Sequence, residues 1–453
     1  MEQAVKSRRD KGDRISSLPD CLIHLIMSFL TAQEAVRTCV LSKRWKDLWS
    51  TLPFLDFNLG EFRYRELSYY SRLDDSESDD SGSQHSRPPD IFDKFRDFVG
   101  MALLLRKPFD LHTFHLSCGE MCEWPEYNMF IRSWFLHALN HNPQVLKIDF
   151  TLEGSVPLAL FTCASLVDAS FFHFPSKHNM VINLPCLRRL HLNQGNLHHG
   201  FVEKLFSGCP MLEFFHLEHC HRELYTINSQ SLKYLKAECC HSNFWQATEK
   251  EIVLINTPNL LSFCDNICLD FVGPKLLLKM PSLTSANIRF ERSRYERSYD
   301  GKSNILMGLS NVQNLKLSGH GIKVLLETEM PNCPEFSNLK ELSVDNLCLT
   351  CHCNLLASFL NHCPNLEKLS LYHFGLYCEG EMHGNQEVMK IAPFKGKRLE
   401  TVEVKFPRCD ESFPQVMKHL QDITKKSSAQ INTTSQYNWL SQDWDVDTEQ
   451  DSP

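Results

Sequence analysis

The stretch LRRLHL, from Leu187 to Leu192, places leucines at its first, fourth and sixth positions. Successive side chains of a β-strand point to opposite faces, so Leu190 and Leu192 share one face while the polar residues between them share the other. The pattern therefore predicts a short strand that buries its leucines and turns Arg189, His191 and Asn193 towards an open face.

The same pattern recurs along most of the chain. It gives eleven units, about 25 residues apart, a spacing within the range of leucine-rich repeats. The first unit, VLKIDF, places Val145, Ile148 and Phe150 at the template positions. The others besides LRRLHL begin at Leu166, Leu212, Leu232, Leu260, Leu283, Val312, Leu339, Leu366 and Leu399. The unit at Leu260 is degenerate, because Asp265 stands where an apolar residue is expected. A single unit cannot bury its apolar face, so stacking predicts an α/β fold, a curved solenoid with a parallel strand ladder over residues 91–426.

The register of the repeats also predicts a binding surface. The concave face collects the outward residues of neighbouring strands, including Asp168 and Asn193, and aromatic and Arg side chains are enriched at the centres of protein interfaces. The substrate-binding candidates are Phe172, Arg189, His191, Phe214, His216, Tyr234 and Lys236. In the alternative interpretation, Phe172 and Phe214 pack under a neighbouring loop.

A separate helical module precedes the repeats, at residues 13–58. Its first helix is expected from Pro19 to Leu30, with apolar residues over an arc of about 200°, whereas one packing face needs only about 100°. The surplus predicts that the helix buries one side and offers the other to a partner. A central helix of a larger core is the alternative.

Two further short helices are predicted in this module. Thr31 and Glu34 form a capping box at the start of one, and Ser42 can cap the next. Trp45 and Trp49 lie four residues apart and share a helix face, among basic residues. They fit a core stripe, a basic-aromatic nucleic-acid contact, or part of a module that docks a partner.

The segment DRISSLPDCLIHLIMSFLTAQEAVRTCVLSKRWKDLWSTLPFLDF resembles the F-box of plant F-box proteins, and with the repeats the chain resembles plant F-box/leucine-rich-repeat proteins. Thr31-Ala32-Gln33 replaces the usual Pro-Thr-Lys, and Cys21 replaces a common acidic residue. The resemblance implies docking to a Skp-type adaptor and, through it, to a cullin. The residues implied in adaptor binding are Leu18, Pro19, Leu22, Ile26, Leu30, Trp45 and Trp49. The resemblance also implies that the two tryptophans pack the third helix, so they are expected to serve as core and docking residues rather than as nucleic-acid contacts.

Composition narrows the classes of function. The net charge of −8 argues against a broad nucleic-acid footprint. No signal peptide or membrane span is expected, which predicts a cytoplasmic or nuclear protein with mostly free thiols among its 19 cysteines. Residues 1–12 are expected to be disordered, with KSRRDK as an alternative nuclear signal. The acidic stretch 71–90 is predicted to be a linker or surface loop, with Ser76 or Ser78 as possible phosphorylation sites, and 427–453 a disordered acidic tail.

Several cysteines fit both a metal-binding motif and the repeat pattern. Cys348, Cys351 and Cys353, with His352, His362 and Cys363 nearby, have zinc-like spacing. Repeat register offers another explanation, because Cys209 and Cys363 precede the first leucine of a unit, and Cys220, Cys240 and Cys268 fall at the small polar template position. No metal or cofactor is therefore predicted. The DGKS motif at 300–303 lacks the earlier glycine of a phosphate loop, and the insertion Arg289–Lys302 is either a substrate contact or a solvated loop.

The resemblance implies a non-catalytic substrate-recognition subunit of a Skp–cullin–F-box ubiquitin ligase, binding the adaptor through the F-box and a target protein through the repeats. A scaffold without ubiquitination, or a receptor for a hormone or other small molecule, remains an alternative. The sequence does not name the target.

Overall fold

The computed structural model describes residues 15, 17–62, 89–118, 128–150, 157–172, 180–197, 200–222, 226–238, 241–242, 252–268, 275–291, 304–372, 394, 398–407, 413–425 and 429–436. The chain divides into two compact units. Unit 1 comprises Met1–Leu212 and Glu218–Cys220, and unit 2 comprises Glu213–Leu217 and His221–Pro453. Several predictions fall on residues that the structure does not describe. They concern residues 1–12, residues 71–88 with Ser76 and Ser78, Cys240, residues 292–303 and the residues after Gln436.

Unit 1 begins with three short helices, as predicted. They are α1 (Asp20–Met27), α2 (Ala32–Arg37) and α3 (Lys43–Leu48). The capping box forms, because the Thr31 hydroxyl accepts from the Glu34 amide at 3.4 Å and a Glu34 carboxylate oxygen accepts from the Thr31 amide at 3.2 Å. The Ser42 hydroxyl caps α3 by accepting from the Trp45 amide at 3.4 Å. Local side-chain caps thus set where these helices begin.

The rest of unit 1 is a parallel ladder of five strands, in which each strand pairs with the next in sequence. The strands are β1 (Phe54–Asn58), β2 (Thr113–Ser117), β3 (Val145–Asp149), β4 (Asp168–Phe172) and β5 (Arg189–Asn193), followed by the short β6 (Asn196–Leu197). Helices α4 (Pro89–Leu105) and α5 (Asn128–Leu139) lie in the connections, and α6 (Phe201–Gly208) follows β6. None of the helices in the described residues is long and apolar enough to cross a bilayer.

Unit 2 continues the same architecture with nine main strands. They are β7 (Phe214–Glu218, whose last residue groups with unit 1), β10 (Tyr234–Glu238), β13 (Ser262–Cys268), β15 (Ser285–Glu291), β16 (Asn314–Ser318), β17 (Glu341–Asp345), β18 (Lys368–Tyr372), β19 (Thr401–Pro407) and β20 (Gln430–Gln436). From β10 to β20, each of these main strands pairs in parallel with the next one.

Shorter elements fill the connections of unit 2. They are β8 (His221–Arg222), β9 (Ile227–Asn228), β11 (His241–Ser242), β12 (Ile252–Asn256), β14 (Lys275–Lys279), α7 (Ile305–Gly308), α8 (Ile322–Glu329), α9 (Cys353–Leu360) and α10 (Phe413–Thr424). β12 pairs with both β9 and β14 in a small parallel sheet.

Each of the eleven predicted repeat units contains a ladder strand, so the parallel α/β architecture is confirmed. In LRRLHL the strand begins at the third template position, and the first leucine closes a turn ahead of it: the Leu187 amide donates to Leu184 O at 3.1 Å. The Leu366 amide makes the same bond to Cys363 O at 3.3 Å. Asp265 does occupy an inward position, where it is 6% exposed and lies in register with Ile288.

One repeat register was wrong. In the first unit Leu146 and Ile148 are the inward strand residues, paired in register with Ala169 and Phe171 of β4. The template therefore begins two residues earlier than Val145. The error arose because a shift of two residues keeps every side chain on the same face, so alternation alone does not distinguish the two registers.

Three ladder strands were not predicted as repeats. β1 lies inside the range assigned to the F-box, yet LPFLDF from Leu52 to Phe57 fits the repeat template and its three apolar positions are buried. β2 lies in LHTFHL from Leu111 to Leu116, which fits equally well. β20 lies inside the predicted disordered tail, so that prediction was wrong for Gln430–Gln436. Its main chain pairs with β19 over seven residues, and this pairing needs few apolar side chains.

The acidic segment does not connect the F-box to the first repeat strand, as a linker between the two would. The F-box leads directly into β1, and residues 63–88 come only afterwards, before α4. The chain before residue 63 contacts the helix that follows residue 88, since the Phe62 and Phe95 rings meet edge to face with centroids 5.4 Å apart. The predicted boundary at residue 90 also shifts slightly, because α4 already begins at Pro89.

Candidate functional site

Helix α1 presents two apolar faces. Ile23 and Met27 are buried, with 0% and 1% exposure. Four exposed apolar residues, called here the docking face, lie away from this buried side: Leu22, Leu25 and Ile26 in α1, exposed by 44%, 54% and 43%, and Phe29 in the turn after α1, exposed by 82%. Large apolar side chains grouped on one exposed helix face are typical of an interaction surface. The predicted division of α1 into a buried side and an exposed apolar side is confirmed, whereas the binding of a partner by the exposed side stays a prediction.

The buried side of α1 belongs to a small core shared by the three helices. This core consists of Ile23, Met27, Ala35, Trp45, Leu48 and Leu52, with Leu18, Leu30 and Trp49 packed against it. Trp45 is only 2% exposed, so its predicted place in the core of the module is confirmed, whereas the adaptor contact that was also predicted for it is wrong, because almost none of its side chain reaches the surface. The physical reason is that the apolar face of α3 points towards α1, which leaves the indole inside the module.

The other predicted adaptor contacts are placed unequally. Leu22 and Ile26 lie on the docking face, and Pro19 is exposed immediately before α1. Leu18, Leu30 and Trp49 are half-buried against the core, so each has only a part of its side chain available to a partner.

Several exposed apolar residues were absent from the predicted adaptor set. Leu25 and Phe29 belong to the wide apolar arc of α1, which was the signal that could have found them. Val40 and Leu41, in the turn before α3, are 88% and 57% exposed. We include all four residues with Leu22 and Ile26 in the candidate adaptor surface.

In unit 1, the outward residues of β4 and β5 lie on the ladder face as predicted. Leu190 and Leu192 are buried. Phe172 of β4 and Asn193 of β5 occupy the alternate, outward positions of their strands. The alternation of LRRLHL is therefore confirmed, whereas the role of these residues in target binding stays a prediction.

Polar contacts order this part of the ladder face. Arg189 Nε donates to Asp168 Oδ2 at 2.9 Å. The His191 ring lies between two partners, with Nδ1 3.2 Å from Ser170 Oγ and Nε2 3.2 Å from Glu218 Oε2. Neighbouring side chains thus hold each other in fixed positions, which lowers the entropy lost when a partner binds.

In unit 2, the predicted residues of β7 and β10 come together on the ladder face. The rings of Phe214 and Tyr234 stack with centroids 4.4 Å apart and planes 5° apart, and Tyr234 is 39% exposed. Glu238 Oε2 lies 3.2 Å from His216 Nε2 and 2.9 Å from Lys236 Nζ. The stacked rings beside a paired carboxylate and ammonium form the aromatic patch of unit 2.

The carboxylate in this patch was not a candidate in the sequence. Glu238 is 8% exposed, and it is positioned by the strand register rather than by a local motif. Farther along the ladder, in β16 and β17, the outward residues are small polar or charged. Lys368 Nζ lies 3.0 Å from Glu403 Oε1, and this hydrogen bond raises the pKa of Lys368 and lowers the pKa of Glu403.

Cysteines that the structure describes occupy positions set by the repeat pattern. Cys220 Sγ donates to Leu192 O at 3.2 Å and accepts from the Gly195 amide at 3.4 Å, which confirms its predicted role in satisfying a loop. Burial raises the pKa of Cys209 and of Cys353 to about 12.

The zinc-like motif has no clustered ligand set. Cys363 Sγ donates to Phe359 O at 3.5 Å, and Cys348 Sγ lies 2.9 Å from Thr350 Oγ1. All six Cys and His residues of the motif are described, and within the described residues no three of them bring ligand atoms into mutual coordinating distance.

An exposed apolar helix face on a three-helix module, joined to a ladder of leucine-rich repeats, defines a class of adaptor-binding target receptors. Comparisons with known proteins support this class. Residues 15–57 match the F-box domain, and residues 131–280 match the leucine-rich repeats of the FBD-associated F-box protein At5g56370.

Full-length relatives extend the match across most of the chain. The F-box/FBD/LRR-repeat proteins At5g22660 and At5g22700 of Arabidopsis thaliana are 29% and 28% identical, over 88% and 92% of this chain and 84% and 91% of their own lengths. The F-box protein At1g58310 of the same plant is 30% identical over 79% of this chain and 73% of its own length. The chain belongs to the plant F-box/leucine-rich-repeat family.

Proposed function

We propose that this protein is the substrate-recognition subunit of a Skp–cullin–F-box ubiquitin ligase. The observation that carries the proposal is the docking face of α1. An F-box implies a Skp-type adaptor as the partner, and the four docking-face residues supply the apolar anchors that such an interface requires. The cullin is then reached through the adaptor.

The repeats supply the second binding activity. Parallel strands place their outward side chains in continuous rows, and the aromatic patch of unit 2 combines rings with hydrogen-bonding groups. Tyr and other aromatic side chains contribute large contact areas at low entropic cost, which suits the centre of a protein interface. We therefore propose the aromatic patch as part of the target-binding surface.

The chain itself performs no bond-making step in this function. It holds a target near a ubiquitin-charged conjugating enzyme, and the rate increase comes from proximity, because a bimolecular encounter becomes an intramolecular one. The chemical groups that transfer ubiquitin belong to the other subunits of the ligase.

The proposal is tested by reconstitution with a purified Skp-type adaptor and cullin. We expect the full chain to form a stoichiometric complex with both and to promote ubiquitin transfer. Changing Ile26→Ala together with Phe29→Ala should abolish assembly. The matched control is Met129→Ala with Leu158→Ala, since these apolar residues of unit 1 are similarly exposed, by 76% and 73%, but lie outside the F-box.

Two results would count against the proposal. Equal adaptor binding by the docking-face variant and by the control variant would exclude the docking face. Adaptor binding that never recruits cullin would instead favour a scaffold without ubiquitination.

A further inference from the structure

The F-box continues into the first repeat strand without spare chain. The turn Trp49–Thr51 is followed by Leu52 and Pro53 and then directly by β1, which pairs with β2 over five residues. Pro53 O accepts hydrogen bonds from the amides of His112 at 2.8 Å and Thr113 at 3.0 Å. Main-chain bonds thus join the end of the F-box to the start of β2.

Arg106 adds a side-chain bridge across the same junction. It follows the last residue of α4 and is only 9% exposed. Its Nη1 donates to Leu52 O, at the end of the F-box. Its Nη2 donates to Phe109 O at 3.1 Å and to Asp110 O at 3.3 Å, in the chain that leads into β2. One guanidinium therefore links two chain segments about fifty residues apart in sequence.

The chemistry of this bridge requires arginine. Burial lowers the pKa of Arg106, which records the cost of removing a cation from water, and hydrogen bonds to carbonyl oxygens offset that cost. A planar guanidinium can direct donors towards several carbonyls at once, whereas a lysine ammonium is a compact donor at a single point. The adjacent main-chain bond, from the Lys107 amide to Ser50 O at 2.9 Å, lies beside the bridge.

A second connection lies at the other end of β1. Thr31, which caps α2 of the F-box, donates its hydroxyl to Glu61 Oε2 at 2.9 Å. Glu61 follows β1 by three residues, and its burial raises the pKa of its carboxyl group. Within unit 1, the F-box helices are therefore attached to the repeat strands at both ends of β1.

We propose that Arg106 is a positioning residue of the ligase, which fixes the adaptor-binding helices on the repeat strands of unit 1 so that they move as one rigid body. This inference rests on the proposed function, because the orientation matters only if the F-box presents a bound target to a cullin-based ligase. A fixed orientation raises the effective concentration of the target at the ubiquitin donor. Residues 63–88 follow β1 in the sequence, so they do not connect the F-box to that strand.

The test measures the orientation directly in the full chain. Nitroxide labels are attached through a ketone-bearing unnatural amino acid at two exposed sites of unit 1, Lys46 in α3 and Glu203 in α6, and the distance distribution is recorded by pulsed electron resonance. The variants are Arg106→Met, Arg106→Lys and a chain lacking residues 71–88. The matched control is Arg96→Met, which removes a guanidinium from α4 that pairs with Asp93 and Asp97 at the surface.

We expect one narrow distance distribution for the unsubstituted chain, for Arg96→Met and for the deletion. In Arg106→Met the distribution should be at least about twofold wider, because the junction at Leu52 becomes a hinge. Arg106→Lys should fall between them, since lysine can satisfy one carbonyl. A folded Arg106→Met protein with an unchanged distribution would overturn the proposal. If Arg106→Met does not fold, an unchanged distribution in Arg106→Lys overturns it instead.

Adaptor binding by the same samples separates this proposal from the proposed function. Arg106 lies outside the docking face, so Arg106→Met should bind the adaptor with unchanged affinity while its distance distribution broadens. If the unsubstituted chain fails to bind any adaptor, the proposed function fails, and the rigid junction is still judged by the distances alone.

Discussion

Phe29 and Met27 offer a sharp test, because Met27 is the last residue of α1 and Phe29 lies only two residues further on, yet the two differ greatly in exposure. Phe29 is 82% exposed and Met27 is 1% exposed. A buried phenylalanine removes about 200 Å² from water, so covering the exposed part of Phe29 removes about 160 Å². At about 25 cal/mol per Å² this gives an upper limit of about 4 kcal/mol. Alanine keeps part of that area, so we expect Phe29→Ala to weaken adaptor binding by about 2–3 kcal/mol.

This loss corresponds to a roughly 30- to 150-fold increase in Kd, which isothermal titration of the purified chain with the adaptor can measure. Stability should change by no more than about 0.5 kcal/mol, because an exposed side chain loses few contacts. Met27→Ala should do the reverse, lowering the free energy of unfolding by about 2–5 kcal/mol while the folded fraction keeps its affinity. A Kd within about twofold of the unsubstituted protein for Phe29→Ala would refute the assignment of the docking face.

Three further predictions concern unit 2. Phe214→Ala with Tyr234→Ala should abolish target capture, measured by mass spectrometry of the proteins that the chain retains. The double variant should stay folded, because the stacked pair contributes only about 0.5–1.5 kcal/mol to stability. Target capture by a stable double variant would place the target site elsewhere. Glu329→Ala should lower the free energy of unfolding by about 2–3 kcal/mol in urea titrations, because the buried carboxylate accepts from the amides of Ile305 and Leu306 at 2.9 and 2.8 Å; an unchanged midpoint would exclude this cap. Burial raises the pKa of Asp345, so the folded state binds its proton more tightly than the unfolded state, and the stability that this proton provides is lost as the pH rises through the folded pKa. Asp345→Asn should therefore raise Tm at pH 7 and lose this advantage below the ordinary pKa of aspartate, and a lower Tm at pH 7 would contradict the argument.

The sequence alone determined the repeat strands and the F-box helices. The alternation in units such as LRRLHL specifies which side chains enter the core, because a strand has a period of two residues. Helices α2 and α3 were predictable from caps at Thr31 and Ser42, since a side-chain oxygen next to a helix start acts locally. The apolar arc of α1 also predicted an offered face, because it exceeds what a single packing face can bury.

Tertiary structure decided the features that depend on residues far apart in sequence. β20 forms because the edge of β19 supplies main-chain partners, although its own sequence lacks the repeat pattern. Trp45 is buried because α3 packs on α1, so the same spacing that fitted a docking residue belongs to a core residue. The direction in which an apolar face points depends on its neighbours, and a one-dimensional pattern does not contain that information.

The aromatic patch and the Arg106 bridge also depend on contacts that only the tertiary structure provides. Alternation placed Phe214 and Tyr234 on the open face, but only strand pairing brought their rings into a stack and set Glu238 beside Lys236. Likewise, nothing near Arg106 in the sequence marks it as functional, since its partner at Leu52 belongs to another segment of the chain. Local patterns determine which side chains share a face, whereas packing decides what covers that face and which partners its side chains meet, because hydrogen bonds and ring contacts form between atoms that only the folded chain brings together.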